Sequence, residues 1–151
     1  MARLLTAQET EVLVDYSMFA MLSGSGGDPL AEERDVAAIG PGGIGFFSAA
    51  NDHTATVRLE CWDGEPPAGG SSGETVTGTV TIAPPPGVVF VGIGTGFSRE
   101  VSTPFSGPCR AEVVCTGRDE AARLYNEEHE LFFEDVERWL VRLWPEEHRN
   151  Q

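Results

Sequence analysis

Lysine is missing from this chain altogether, so all ten of its basic residues are arginine. Against 24 acidic residues this leaves a formal charge of -14. A chain so short of cations repels phosphate backbones and anionic membrane surfaces, so neither nucleic acid nor a charged bilayer is expected as a direct ligand. No run approaches the roughly 20 apolar residues of a membrane helix. Met1–Leu5 lacks the continuous apolar core of about 7–15 residues that marks a secretory signal. The expected compartment is therefore the cytoplasm.

Cysteine is scarce too. Cys61, Cys109 and Cys115 are odd in number and form no CxxC pair, which argues against a disulfide framework or a metal site. Cys61 and Cys115 fall on the apolar phase of their segments and read as buried thiols. Recognisable reaction motifs are also lacking. Gly92-Ile93-Gly94-Thr95-Gly96 has the glycines of a phosphate cradle but no trailing Lys-Ser/Thr and no helix visibly after it, so it reads as a strand end or bulge. His53, His129 and His148 are scattered, and Glu128-His129-Glu130 is not a zinc-helix pattern. Ser25 sits in a Gly/Ser linker and not in a nucleophile elbow. No catalytic residue, cofactor or metal is expected, and the chain reads as a non-enzyme.

What is present is a succession of short alternating segments. The 151 residues, 40% of them hydrophobic, suit one domain spanning 1–151. Glu11–Leu22 reads as one strand, and Ser23–Pro29 as a Gly-rich break. The acidic patch Glu32–Asp35 leads into a turn cluster at Gly40-Pro41-Gly42-Gly43. Ile44–Ala49 resumes as a strand. Thr54–Trp62 gives the clearest period of two, with Ala55, Val57, Leu59 and Cys61 on one side and Thr56, Arg58 and Glu60 on the other. After a Gly/Pro/Ser loop at Asp63–Glu74, Thr75–Ala83 repeats the alternation with Val76, Val80 and Ile82 inward. Val88–Ile93 is apolar throughout and suits a central strand, Arg99–Ser102 is a short continuation, and Arg110–Thr116 alternates again. Seven to eight strands joined by Gly/Pro loops predict an all-β fold, an antiparallel β-sandwich.

The C-terminal part is different. Residues 119–151 carry ten carboxylates against four arginines. Asp119–Glu130 contains good helix formers, so the acidic insertion 119–135 is expected to be partly helical. Val136–Trp144 fits two periods. As a helix it lines up Phe132, Val136, Trp139, Leu140 and Leu143; as a strand it places Trp139, Val141 and Leu143 on one side and Leu140 and Trp144 on the other. Pro145 ends either version.

Three stretches carry a family resemblance. An early strand bears Tyr16 and Phe19, a Gly-x-Ile-x-Phe segment at Gly42, Ile44 and Phe46 feeds the strand at Ala55–Leu59, and a Phe-x-x-Pro step at Phe105 and Pro108 leads to a strand ending at Cys115. In this order of features the chain resembles the competence protein J family, whose best-known function is inhibition of a DNA-entry nuclease. Arg118, Asp119 and Leu143-Trp144-Pro145 also resemble the ending of a group of uncharacterised actinobacterial proteins. The likeness spans about half the chain and rests on core and turn residues. It implies a shared fold more than a shared activity, and it implies that Val136–Trp144 is a strand closing the sheet.

These readings converge on a non-enzymatic cytoplasmic interaction protein, an inhibitor or immunity-type partner of a nuclease or another basic protein. Glu127, Glu128, Glu130, Glu134 and Asp135 would steer the partner, and Tyr125, Phe132 and Phe133 would supply desolvated contact area. The alternative is a β-sandwich module for a small molecule or glycan, with Trp62 and the Asp63–Glu74 loop as a stacking platform. Unpaired sheet edges leave a homodimer open.

Overall fold

A computed structural model describes residues 1–68 and 73–146. Residues 69–72 of the Asp63–Glu74 loop, and Glu147 and His148, lie outside the described residues. The chain is an all-β sandwich of two five-stranded sheets with one short helix, α1. In chain order the strands are β1 (Leu4–Val14), β2 (Met18–Leu22), β3 (Ala37–Gly40), β4 (Gly43–Phe47), β5 (His53–Trp62), β6 (Glu74–Ile82), β7 (Gly87–Gly92), β8 (Ser98–Ser102) and β9 (Gly107–Thr116), followed by α1 (Arg118–Asn126) and β10 (Glu134–Pro145). The first sheet runs β1-β5-β10-β9-β6 and the second β3-β4-β2-β7-β8.

The period-two segments form as their patterns require. Ala55, Val57, Leu59 and Cys61 of β5 are buried, as are Ala111, Val113 and Cys115 of β9. Trp139, Val141 and Leu143 of β10 point inward beside them, which is the strand reading of that segment. The two inner faces meet on an aromatic cluster. Phe19 and Phe46 stack at 4.4 Å, and the Trp139 indole stands edge-on to both at 5.7 and 5.2 Å. Edge-to-face pairs of this kind add about 0.5–1.5 kcal/mol each beyond their buried area.

Three expectations are corrected. There are ten strands among the described residues, not seven to eight. The segment Glu11–Leu22 is not one strand, because Tyr16 and Ser17 adopt left-handed backbone (φ 57 and 58) and send β1 and β2 into different sheets. That turn also shifts the phase, so that Val12 and Val14 face inward before it and Phe19 and Met21 after it. The Gly40–Gly43 turn cluster forms as expected, as the tip of a hairpin whose first arm, β3, is a strand the sequence pattern did not show and pairs Ala37–Gly40 with Gly43–Phe46. Finally, the first sheet is mixed: β10 runs antiparallel to β9 but parallel to β5. The apolar run of β7 is an interior strand of the second sheet as expected, paired with β2 on one side and β8 on the other.

Candidate functional site: the acidic end of the sandwich

The connections Asp15–Ser17, Ser48–Asp52, Ile93–Phe97 and Gly117–Phe133 meet at one end of the sandwich. The Ser17 carbonyl accepts the Ser48 N–H at 2.9 Å, and the Phe133 carbonyl accepts the Thr54 N–H at 2.9 Å. The Gly92 N–H closes onto the Phe97 carbonyl at 3.1 Å, so the glycine-rich motif is a loop between paired strands β7 and β8 with no helix after it.

Helix α1 begins after Gly117, whose φ of +82 turns the chain out of β9. Asp119 and Glu120 lie in its first turn, where carboxylates complement the helix dipole. Arg118 reaches back into the fold and donates to the Phe47 carbonyl at 2.6 Å and the Asp35 carbonyl at 3.1 Å. Arg123 binds Glu120 at 2.7 Å and Glu128 at 3.1 Å on the surface. This contact holds the Glu120 carboxyl below its ordinary range and raises the guanidinium further.

The residues expected to meet a partner are placed as follows. Glu127, Glu128, Glu130, Glu134 and Asp135 are all exposed, on the turn after α1 and the start of β10. Glu127, Glu130 and Glu134 make no ion pair among the described residues. Glu128 pairs with Arg123, while Asp135 accepts from the Thr56 hydroxyl at 2.7 Å and pairs with Arg138. Tyr125 is half-buried. Phe133 is half-buried as well, stacked on the His53 imidazole at 4.7 Å, whereas its neighbour Phe132 is 73% exposed. The five carboxylates thus share one end of the molecule, and Phe133 serves as the joint that seats their loop.

Beneath this surface lies a polar network that sequence reasoning missed. Glu137 is fully buried on the inward phase of β10. One carboxyl oxygen accepts the Ser48 hydroxyl at 3.0 Å and the Ala49 N–H at 2.9 Å, and the other accepts the Trp139 indole N–H at 3.0 Å. Ser48 Oγ, having donated to Glu137, accepts from His53 Nε2 at 2.8 Å and from the Ala50 N–H at 3.1 Å. His53 Nδ1 closes no hydrogen bond among the described residues. Burial lowers the His53 pKa, and the Glu137 charge, the Ala50 backbone and Asp52 oppose that shift. Ser, His and Glu side chains meet here, but the acid holds the serine and not the histidine, the reverse of a nucleophile–base–acid relay.

The cysteine thiols are buried and free, and burial pushes Cys109 up to about 12 and raises Cys61 and Cys115. No group of three His, Cys, Asp or Glu side chains able to hold a metal ion is found among the described residues, nor is any helix there long and apolar enough to cross a membrane.

At the opposite end the Trp62 platform is already occupied on one face. The Arg142 guanidinium lies 5.9 Å over the ring, bound to Glu112 at 2.9 Å and to the Pro67 carbonyl at 3.0 Å, while the Trp62 indole N–H donates to Glu60 at 3.0 Å.

No protein-family model matches the sequence, and no curated protein matches it. Two solved structures share the fold. One is ComJ from Bacillus subtilis, inhibitor of the DNA degrading activity of NucA, with a TM-score of 0.61 at 15% identity over 97% of this chain and 99% of that one. The other is described as crocagin biosynthetic gene J, with a TM-score of 0.60 at 12% identity over 95% and 100%. At these identities the likeness is one of fold.

Proposed function

We propose that this chain is a non-enzymatic interaction protein of the inhibitor type, which binds and restrains a basic protein, a nuclease, through the acidic end of its sandwich. The observation that carries this reading is the gathering of Glu127, Glu128, Glu130, Glu134 and Asp135 on one exposed edge, whose loop is joined through Phe133 and His53 to the buried Ser48–Glu137 network. Clustered surface carboxylates speed encounter with a cationic partner and disfavour anionic ones. The full-length fold likeness to an inhibitor of a DNA-degrading enzyme supports the class of partner. Fold alone does not carry activity, so the carboxylates and not the likeness bear the argument. Three free, buried thiols suit the reducing cytoplasm as the place of encounter.

The test is recovery of the partner from a host lysate on immobilised protein at about 0.1 M and about 1 M salt, where the Debye length falls from about 10 Å to about 3 Å. Steering by exposed carboxylates requires strong retention at low salt and loss at high salt. The variant carrying E127Q, E128Q, E130Q, E134Q and D135N should retain far less partner at low salt. Equal retention by the folded variant and the wild type would end this reading.

A further inference from the structure

Five large apolar side chains are exposed at the acidic end. Leu13, Ile93 and Leu131 are between 39% and 49% exposed, Tyr16 65% and Phe132 73%. Tyr16 and Phe132 are distant in sequence and come from opposite ends of the topology, yet one loop holds both. Asn51 Oδ1 accepts the Ser17 N–H at 3.2 Å, and the Asp52 carbonyl accepts the Phe132 N–H at 2.6 Å. That loop is in turn tied to the buried Glu137 through Ala49.

Each aromatic stands on left-handed backbone, with φ of 57 at Tyr16 and 63 at Phe132, a conformation that bulky residues adopt at a cost of about 1–2 kcal/mol. The Tyr16 ring lies against the glycine loop: a Cβ on Gly94 would come within 3.1 Å of Tyr16 Cε2 and 2.5 Å of Asp15 Oδ2. The neighbouring carboxylates are Asp15, Asp52 and Glu130. Of the arginines near this end, Arg118 is engaged by the Phe47 and Asp35 carbonyls, Arg123 by Glu120 and Glu128, and Arg138 by Asp135, while exposed Arg99 lines a groove with Glu134 and Asp135 and is outnumbered by these carboxylates.

The surface therefore presents protruding aromatic faces interleaved with negative charge. A single strand of nucleic acid presents the same two features, bases that stack and phosphates that attract arginine and lysine, and grooves that bind such strands are cationic and stacking. We infer that the Tyr16–Phe132 end enters the nucleic-acid groove of the nuclease and excludes DNA from it. This inference rests on the proposed function, and adds which surface of the nuclease is occupied and by which residues. Charge complementarity selects that occupant: an acidic tip with aromatic anchors matches a groove built for an acidic polymer with aromatic bases.

The test uses the nuclease recovered with the wild-type chain, purified, in a DNA-cleavage assay at several DNA and inhibitor concentrations. The comparison variants are Y16N, F132N and the double variant; Asn tolerates left-handed backbone, so all three should fold. Competition predicts that the inhibitor raises KM for DNA and leaves kcat unchanged. Each single substitution should raise the inhibition constant tenfold or more, and the double variant should raise it further, with thermal midpoints at or above that of the wild type. A fall in kcat with KM unchanged would place the contact away from the groove and overturn the inference, as would folded variants that inhibit like the wild type. Both outcomes leave the proposed function standing. Recovery of no nuclease by the wild type removes the proposed function and this inference with it.

Discussion

Glu137 and Trp139 sit two residues apart on the inward side of β10, joined by a 3.0 Å hydrogen bond from indole to carboxyl. An acidic side chain on the core phase of a strand is costly unless every acceptor is used, and here the carboxyl serves three donors on β10 and the Ser48–Asp52 loop. Glu137→Ala strands the Trp139, Ser48 and Ala49 donors together. The expected loss is about 3–5 kcal/mol, the range for a buried polar network that loses its centre. Glu137→Gln keeps one acceptor oxygen and should cost less. Denaturant unfolding followed by Trp fluorescence measures both.

His53 makes stability depend on pH in a defined direction. Its pKa in the folded chain lies below the ordinary value of about 6.5, chiefly because the ring is buried. Between the two values the unfolded chain binds the proton and the folded chain does not. Stability from this group is thus complete above about pH 6.5 and falls as the pH drops toward the folded value, with a slope of at most about 1.4 kcal/mol per pH unit. His53→Gln removes the titration. Unfolding curves from pH 7.5 to 5 should show the wild type losing stability faster than the variant, and parallel curves would refute the assignment.

Arg118 fastens the start of α1 to the second sheet. Its guanidinium serves two main-chain carbonyls, Phe47 and Asp35, and lies 3.3 Å from Glu74. Hydrogen bonds from a charged donor contribute about 1.5–3 kcal/mol each, and exposure of Glu74 keeps the ion pair small. Arg118→Ala should cost about 2–4 kcal/mol. Arg118→Lys, a point donor without the fork, should recover less than half of it. Amide hydrogen exchange should speed up along α1 in the alanine variant before it changes in β5 or β9.

The parts of the fold visible in the sequence are those where one residue's environment is set by its own strand. Thr54–Trp62 alternates because one face is core and the other solvent, and that pattern survives in a list of residue types. β1 hid its first half because Leu4–Glu9 lies at a sheet edge and buries little, so Gln8 and Glu9 obscure the period. The break at Tyr16-Ser17 carries no Gly or Pro; it is held by Asn51, 34 residues further on. β10 was ambiguous because Glu137 occupies an inward position that a period count scores as solvent. At the candidate site the acidic run was plain in the sequence, whereas the joining of Tyr16 to Phe132 depends on two strands meeting through a loop neither belongs to.

Gly117 is the point where the acidic segment leaves the sandwich, and its substitution separates backbone conformation from space. Its φ of +82 alone would cost a residue with a Cβ about 1–2 kcal/mol. A Cβ there would also run into the Val136 carbonyl and lie 3.4 Å from Glu137 Cα, on the strand that carries the buried carboxyl. Gly117→Ala should therefore cost more than the conformational part, upward of about 3 kcal/mol once β10 is displaced. Gly117→Asn is the decisive comparison, because Asn tolerates left-handed backbone and relieves only the conformational part. If Asn is as damaging as Ala, close approach to β10 dominates and the joint is a packing contact. If Asn restores near wild-type unfolding midpoints, β10 yields to the added atom, and the glycine is needed for its dihedral alone.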